Sequence, residues 1–296
     1  MSEIIVRPLE TMDEIIAAEE VQRITWNMND LEIVPAHVFH ALQDSGAILL
    51  GAFDDDQLVG FVFGVLGADR APGQSDQTAA ARLKMYSVMT GVLPGYQQHD
   101  VGYRLKMGQR DLALKLGIDL ITWTYDPLES LNARFNIGKL GVICRRYRRH
   151  FHGDMSGINT GLQTDRFEVE WLIASDRVAA RANHKWQSPD LKALLADGTV
   201  LVNGASINEA GLPVPPADTV SASGGRAIVE IPSNFQAIKK ADIQLARQWR
   251  AHTRAIFEGL FGSGFAATDF VQYEDDGGRS HSYYLLTHQE LNTDEN

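Results

Sequence analysis

The chain has 296 residues, 44% hydrophobic and 22% charged, and a formal net charge of −11 at pH 7. That mixture excludes disordered and fibrous classes. Both halves are acidic, so no basic footprint awaits a nucleic-acid backbone, and a lone cysteine, Cys144, excludes an intrachain disulfide or a multi-cysteine zinc site. The longest strongly apolar run, Leu58 to Ala68, is too short to cross a bilayer, and the opening Met1 to Arg7 lacks a basic start and an apolar signal core. The sequence therefore predicts a soluble, cytoplasmic protein without membrane or nucleic-acid partners.

In chain order, Ile4 to Leu9 reads as a strand, and Thr11 with Glu14 has the spacing of a capping box for a helix over roughly 12–26. Pro35 opens a second helix. Ala47 to Phe53 and Leu58 to Leu66 flank Asp54-Asp55-Asp56-Gln57 as a hairpin. Residues 69–82 read as an exposed loop, and Leu83 to Leu93 as a strand ended by Pro94-Gly95. Val101, Leu105, Gly108, Leu112 and Leu116 form a helical stripe stopped by Gly117, and Ile118 to Tyr125 is the next strand. Strand, helix, strand at this spacing is a βαβ-type unit in a mixed sheet, so the fold class is α/β. Residues 175–225 hold four of the ten prolines and read as a long connection. Beyond it come a strand (Ala227 to Ile231), a loop (Ser233 to Lys240), a helix over about 242–261, and two further strands, Ala266 to Tyr273 and Ser282 to Leu286. The helix carries its stripe on Leu245, Trp249, His252, Ile256 and Leu260. The strand-loop-helix-strand order around 84–125 thus returns around 227–273, either as a degenerate repeat or as two helices that share a period.

The informative segment runs from Val88 to Tyr103, where a strand ends, a polar loop follows and a helix begins. A helix N-terminus offers uncommitted amides and a positive dipole end, which suits a pyrophosphate. The segment resembles motif A of the GNAT (GCN5-related N-acetyltransferase) superfamily, Arg/Gln-x-x-Gly-x-Gly/Ala after a bulged strand. Gln97, Val101 and Gly102 fit that pattern, whereas Asp100 stands where the first glycine usually lies. The element order over residues 3–152 is similar to the GNAT core. Pro127 to Leu140 with Gly141 resembles the family's next helix, with Ser130 at the asparagine position, Ala133 on the alanine, Asn136 on the leucine and Ile137 on the tyrosine. Asn132 lies two residues from the asparagine position.

The resemblance implies acetyl-CoA or another acyl-CoA as co-substrate, with no metal. Its pantetheine would lie between splayed strands at about 84–93 and 118–125 and pair with an open strand edge. Cofactor contacts carried over are Thr90, Gly91 and Val92 at the thioester, Gln97, Gln98, His99, Val101, Gly102 and Tyr103 at the diphosphate, and Asn132. A departing thiolate benefits from a nearby acid. Because Ile137 replaces the usual tyrosine, the substitute candidates are Tyr103, Tyr125 and Asn136, although an amide cannot donate a proton of matched pKa. The implied activity is transfer of an acetyl or small acyl group to an amine of a small-molecule or peptide acceptor. The alternatives are a non-catalytic acyl-CoA sensor or scaffold, and other acyl-CoA chemistry on the same fold.

Other residues carry two readings each. Arg145, Arg146, Arg148 and Arg149 could bind an anionic substrate or a CoA phosphate, or could form a charged edge strand that deters aggregation. His150 and His152 share a strand face but lack a third metal ligand. Asp126-Pro127 either sits near substrate at a strand end or caps the following helix. Asp165-Arg166 reads as a surface pair or as an ion pair under an acceptor pocket. Trp123, Trp171 and Trp249 read as core, Cys144 as a packed thiol, and Gly224-Gly225 as a turn; neither Ser156 nor Ser206 has nucleophile-elbow spacing. The expected division is an acyl-CoA-binding domain over 1–174 and a C-terminal α+β domain over 175–296. That second half would complete the sheet, close the acceptor pocket or supply a homodimer surface.

Overall fold

The computed structural model describes residues 3–69, 82–97, 99–153, 161–183, 187–222 and 224–288. The chain divides into two compact units. One holds the described residues up to Trp123 together with Leu172–Ser175; the other holds those from Thr124 to Trp171 and from Asp176 on.

In the first unit, β1 (Ile5–Pro8) leads into α1 (Met12–Trp26), whose start is fixed by its own side chains. The Glu14 amide donates to Thr11 Oγ1 at 3.3 Å, and Glu14 Oε2 accepts from the Thr11 and Glu10 amides at 3.4 and 2.8 Å, completing the capping box. Arg7 grips the same carboxylate at 2.6 Å, and that hydrogen bond brings the Glu14 carboxyl down to about 2. Thr11→Ala removes the cap and is expected to cost about 1 kcal/mol, read as a lower urea midpoint. Next come α2 (Ala36–Asp44), with Pro35 as its N-cap, and the hairpin of β2 (Ile48–Asp54) and β3 (Gln57–Asp69), where Asp55 takes φ +52°. Then follow β4 (Arg82–Val92), a 3-10 turn at Pro94–Tyr96, α3 (Val101–Lys115) and β5 (Leu120–Tyr125). The sheet order is β1-β2-β3-β4-β5, antiparallel except for the parallel β4–β5 pair that α3 connects. Against one face pack α1 and α2 through Ile15, Ala18, Phe39, Phe61 and Phe63. Most of the loop expected over 69–82 lies outside the described residues.

The second unit starts with the end of β5 and a short α4 (Ser130–Ala133) that widens into a π-helical stretch, Arg134–Leu140, ended by Gly141 at φ +75°. The helix expected over Pro127 to Leu140 is thus only in part α-helical. Then come β6 (Ile143–Arg148), β7 (Arg166–Leu172), α5 (Asp176–Ala182), α6 (Leu191–Ala196), β8 (Val200–Asn203) and the small pair β9 (Ser206–Ile207) and β10 (Pro213–Val214). The chain closes with β11 (Arg226–Ile231), α7 (Phe235–Ala241), α8 (Ile243–Gly262), β12 (Phe265–Glu274) and β13 (Ser280–His288). The segment expected as a loop at Ser233 to Lys240 is largely helix α7, because Asn234 Oδ1 caps it by accepting from the Ala237 amide at 3.0 Å. Strand order is β7-β6-β12-β13-β11-β8. Trp171, Trp249, Phe167, Phe257, Phe270 and Tyr284 are buried in this unit, with Phe167 and Phe257 centroids 4.7 Å apart.

The two strand-helix-strand segments differ in topology. β4 and β5 are direct neighbours, whereas β13 separates β11 from β12. What recurs within the second unit is helix, positive-φ glycine, hairpin: Arg134–Leu140, Gly141 and β6–β7, then α8, Gly264 at φ +86° and β12–β13. These hairpins meet through β6 and β12, at Cys144 and Ala267.

Candidate active site

Two geometric features of the first unit mark the candidate site. β4 is bulged: Ser87 pairs with Gly64 and Met89 with Phe63, so Val88 is the extra residue. Its parallel ladder with β5 is registered at Met85–Ile121 and Tyr86–Thr122 only. From Ser87 to Val92 the strand therefore keeps its β3 partners, and the alternate amides and carbonyls facing the other way form an open edge. Thr90, Gly91 and Val92 lie on this stretch, with Thr90 half-buried and the other two buried. Gly91 is required for close packing: a Cβ there would come 2.8 Å from Trp26 Cη2 and 3.2 Å from Cζ3. Gly91→Ala is expected to cost about 1–3 kcal/mol in thermal unfolding, as overpacking does.

The loop beyond β4 is held by its own polar groups. The Tyr96 hydroxyl donates to Asp54 Oδ2 at 2.9 Å, and Gln97 Nε2 donates to the Val92 carbonyl at 3.1 Å. Asp100 is the N-cap of α3 at φ +57°, and its side chain makes no cap bond. That backbone region is one glycine enters without strain and aspartate tolerates, which explains in steric terms why a glycine suits this position. The first helical bond, from the Arg104 amide to the Asp100 carbonyl, is 2.9 Å, so the Val101 and Gly102 amides have no acceptor among the described residues. His99 and Gln97 are exposed, Val101 is buried, and Tyr103 is buried on the inner side of α3, where desolvation and then the Asp100 charge raise its phenol. Gln98 lies outside the described residues.

Beneath the candidate site is a group the periodicity missed. The buried face of α3 holds Val101, Tyr103, Leu105, Lys106, Gln109 and Ala113, while Leu116 of the expected stripe is 54% exposed and Gly108 and Leu112 are half-buried. Lys106 Nζ donates to Ser87 Oγ at 2.8 Å and to Gln109 Oε1 at 2.9 Å, and lies 3.8 Å from the Trp123 ring centroid. Burial lowers its amine to about 7. The folded chain then binds fewer protons than the unfolded chain between about pH 7 and the lysine's ordinary value of 10.5, so stability rises with pH across that window. Lys106→Met is expected to flatten this rise in urea midpoints measured from pH 7 to 10.

The other candidates belong to the second unit. Tyr125 is buried, its hydroxyl 3.1 Å from that of Tyr284, which donates to the Pro127 carbonyl at 2.9 Å. Burial raises the Tyr125 phenol well above its ordinary range. Asn136 and Ile137 are buried in the π-helical stretch, and Asn132 is exposed on α4.

Several expectations need correction here. Beyond Cys144, where β12 meets β6, the arginines of β6 have only β7 as a ladder partner, yet they do not stand bare. They are matched instead by carboxylates: Arg145 with Glu170 at 2.5 Å, Arg146 with Glu168 at 3.2 Å, Arg148 with Glu168 at 3.5 Å and Arg149 with Glu258 at 2.5 Å. Asp165 and Arg166 are no surface pair either, being 0% and 7% exposed. Asp165 accepts from the Tyr147 hydroxyl at 2.7 Å, the His150 amide at 3.0 Å and Arg254 Nε at 2.7 Å. Asp126 plays the turn role, accepting from the Leu128 amide at 2.9 Å, and also binds Arg250 through two bonds of 2.8 and 2.5 Å, with Arg166 at 3.6 Å. Burial acting alone would raise the Asp126 carboxyl; Arg250 and Arg166 outweigh it and hold it low.

Among the described residues no helix is long and apolar enough to cross a membrane, and no group of three or more His, Cys, Asp or Glu could hold a metal ion. No protein-family model and no curated protein matches the sequence. Solved structures do. The ribosomal-protein-S18-alanine N-acetyltransferase from Escherichia coli is 14% identical over 58% of this chain and 96% of its own, with a TM-score of 0.44. NAA60 from Arabidopsis thaliana, solved with acetyl-CoA, is 14% identical over 57% and 99%, with a TM-score of 0.45. An acetyltransferase of the GNAT family from Streptococcus pneumoniae is 14% identical over 58% and 100%, with a TM-score of 0.44. Each of these likenesses covers a little more than half of this chain and nearly all of the other.

Proposed function

We propose that the first unit binds acyl-CoA and that the protein transfers its acetyl or small acyl group to an amine. One observation carries this reading: a bulged β4 whose edge opens after Tyr86, followed by a helix whose Val101 and Gly102 amides have no acceptor among the described residues. Such an edge pairs with the amides of an extended pantetheine. The start of α3 supplies positive dipole and donors to a diphosphate. Outward amides near Thr90, Gly91 and Val92 would polarise the thioester carbonyl and hold the oxyanion that forms when a neutral amine attacks. The attacking nitrogen then gives its extra proton to water as the C–S bond breaks, and the departing thiolate takes a proton from water. The acceptor is a small-molecule or peptide amine.

A second reading, an acyl-CoA binder without turnover, is favoured by two observations. Ile137 stands where the resemblance implies a tyrosine, and the Tyr125 hydroxyl is already committed to Tyr284. Calorimetry with acetyl-CoA, followed by thiol release across an amine panel, separates the readings. Saturable heat with turnover supports the transferase, heat without turnover supports the binder, and no heat at millimolar acetyl-CoA rejects both.

A further inference from the structure

At one place in the second unit arginines outnumber carboxylates. Arg166, Arg250 and Arg254 converge on two carboxylates, Asp126 and Asp165. Arg250 and Asp165 are 4% and 0% exposed. Facing the cluster from α4 and α7 are Glu129 and Lys239, a further opposite-charge pair that leaves the excess unchanged. Glu129 Oε1 is itself taken up by Gln236 Nε2 at 2.5 Å. Tyr147 contributes a neutral hydroxyl that donates to Asp165. Charges withdrawn from water need partners, and an unmatched guanidinium in such a setting is a strong attractor of oxyanions.

Arg166 is the member with unused capacity. Its two contacts, to the Asp165 carbonyl at 3.1 Å and to Asp126 Oδ2 at 3.6 Å, both use Nη1. Nε and Nη2 make no hydrogen bond among the described residues, and neither is among the polar atoms sealed from solvent, whereas Arg250 Nε is sealed and without an acceptor. The exposed turn His150–Gly153 lies against Thr164 and Asp165, with the His152 amide donating to Thr164 Oγ1 at 3.2 Å. Desolvation first, and then the Arg166 charge, lowers the His152 imidazole.

We infer that Arg166, at the start of β7 and beside His152, forms a binding site for a small oxyanion, a carboxylate or a phosphate, whose negative charge completes the cluster of Asp126, Asp165, Arg250 and Arg254. The fork of Arg166 Nε and Nη2 matches the two oxygens of either group, and Asp126 and Asp165 hold the surrounding guanidiniums in register. This site lies within the second unit and does not rest on the acyl-CoA reading.

The test titrates the full chain, without nucleotide, against succinate and against inorganic phosphate at neutral pH, with sodium chloride matching ionic strength. Calorimetry and thermal shift are the readouts. Expected is saturable binding of at least one anion above the chloride control, weakened tenfold or more in Arg166→Gln; a preference for succinate or for phosphate identifies which group the site takes. Arg166→Lys keeps the charge but loses the fork, and is expected to weaken binding severalfold; it carries the test if Arg166→Gln fails to fold. Absence of saturable binding by both anions, or undiminished binding in the folded variants, overturns the inference.

Discussion

Arg250→Met is expected to lower folding stability by about 3–5 kcal/mol, the usual cost of leaving a buried charge without its partner. Asp126 is held by two bonds from Arg250 and only loosely by Arg166, so the substitution leaves a withdrawn carboxylate with Arg166 at 3.6 Å and the Leu128 amide alone. Asp126→Asn is expected to do comparable harm from the other side, because it leaves Arg250 and Arg166 without their shared anion and keeps an amide that cannot neutralise either. Urea unfolding followed by tryptophan fluorescence reads both, with Trp171 and Trp249 reporting from the same unit. By contrast, Arg148→Ala removes a half-exposed partner of Glu168 and is expected to cost less than about 1 kcal/mol. If Arg250→Met changes stability no more than Arg148→Ala, the buried network does not hold the second unit together.

Local signals were legible in the sequence. The capping box of α1, the hairpin over Asp54–Gln57, the βαβ connection and the helix stop at Gly117 all arise from near neighbours, and each formed where its residues indicate. Features set by distant partners were not. Four arginines in five positions look like a binding patch until the carboxylates of β7 and α8 are brought beside them. Asp165 and Arg166 look like an exposed pair because their partners, Arg254 and Asp126, lie far away in sequence. The period of 3.6 also misled in one place. On α3 the buried face is shifted towards Lys106 and Gln109, since a lysine does not count as apolar although its stem buries well. Over Arg134–Leu140 the resemblance implied a helix, and that stretch winds as a π-helix. For the candidate site, the sequence located the loop and helix start but not the backbone conformation of Asp100, which only coordinates reveal.

Gly102→Glu is expected to weaken acetyl-CoA binding by about tenfold to a hundredfold while leaving the melting temperature nearly unchanged. It puts a carboxylate on the first turn of α3, and two like charges a few ångströms apart near a protein surface repel by ~1–4 kcal/mol. Asp100→Gly is expected to act the opposite way. Glycine relieves the left-handed backbone at φ +57°, worth up to about 1 kcal/mol of stability, and withdraws a negative charge from the helix start, so acetyl-CoA should bind severalfold more tightly. A variant that gains affinity cannot be mistaken for a damaged fold. The decisive measurement is therefore calorimetric titration of acetyl-CoA into the parent chain and these two variants at one ionic strength. Affinities ordered Asp100→Gly, parent, Gly102→Glu from tightest to weakest are the predicted result. Equal affinities in all three, or no heat from any, would contradict a diphosphate seated at the start of α3.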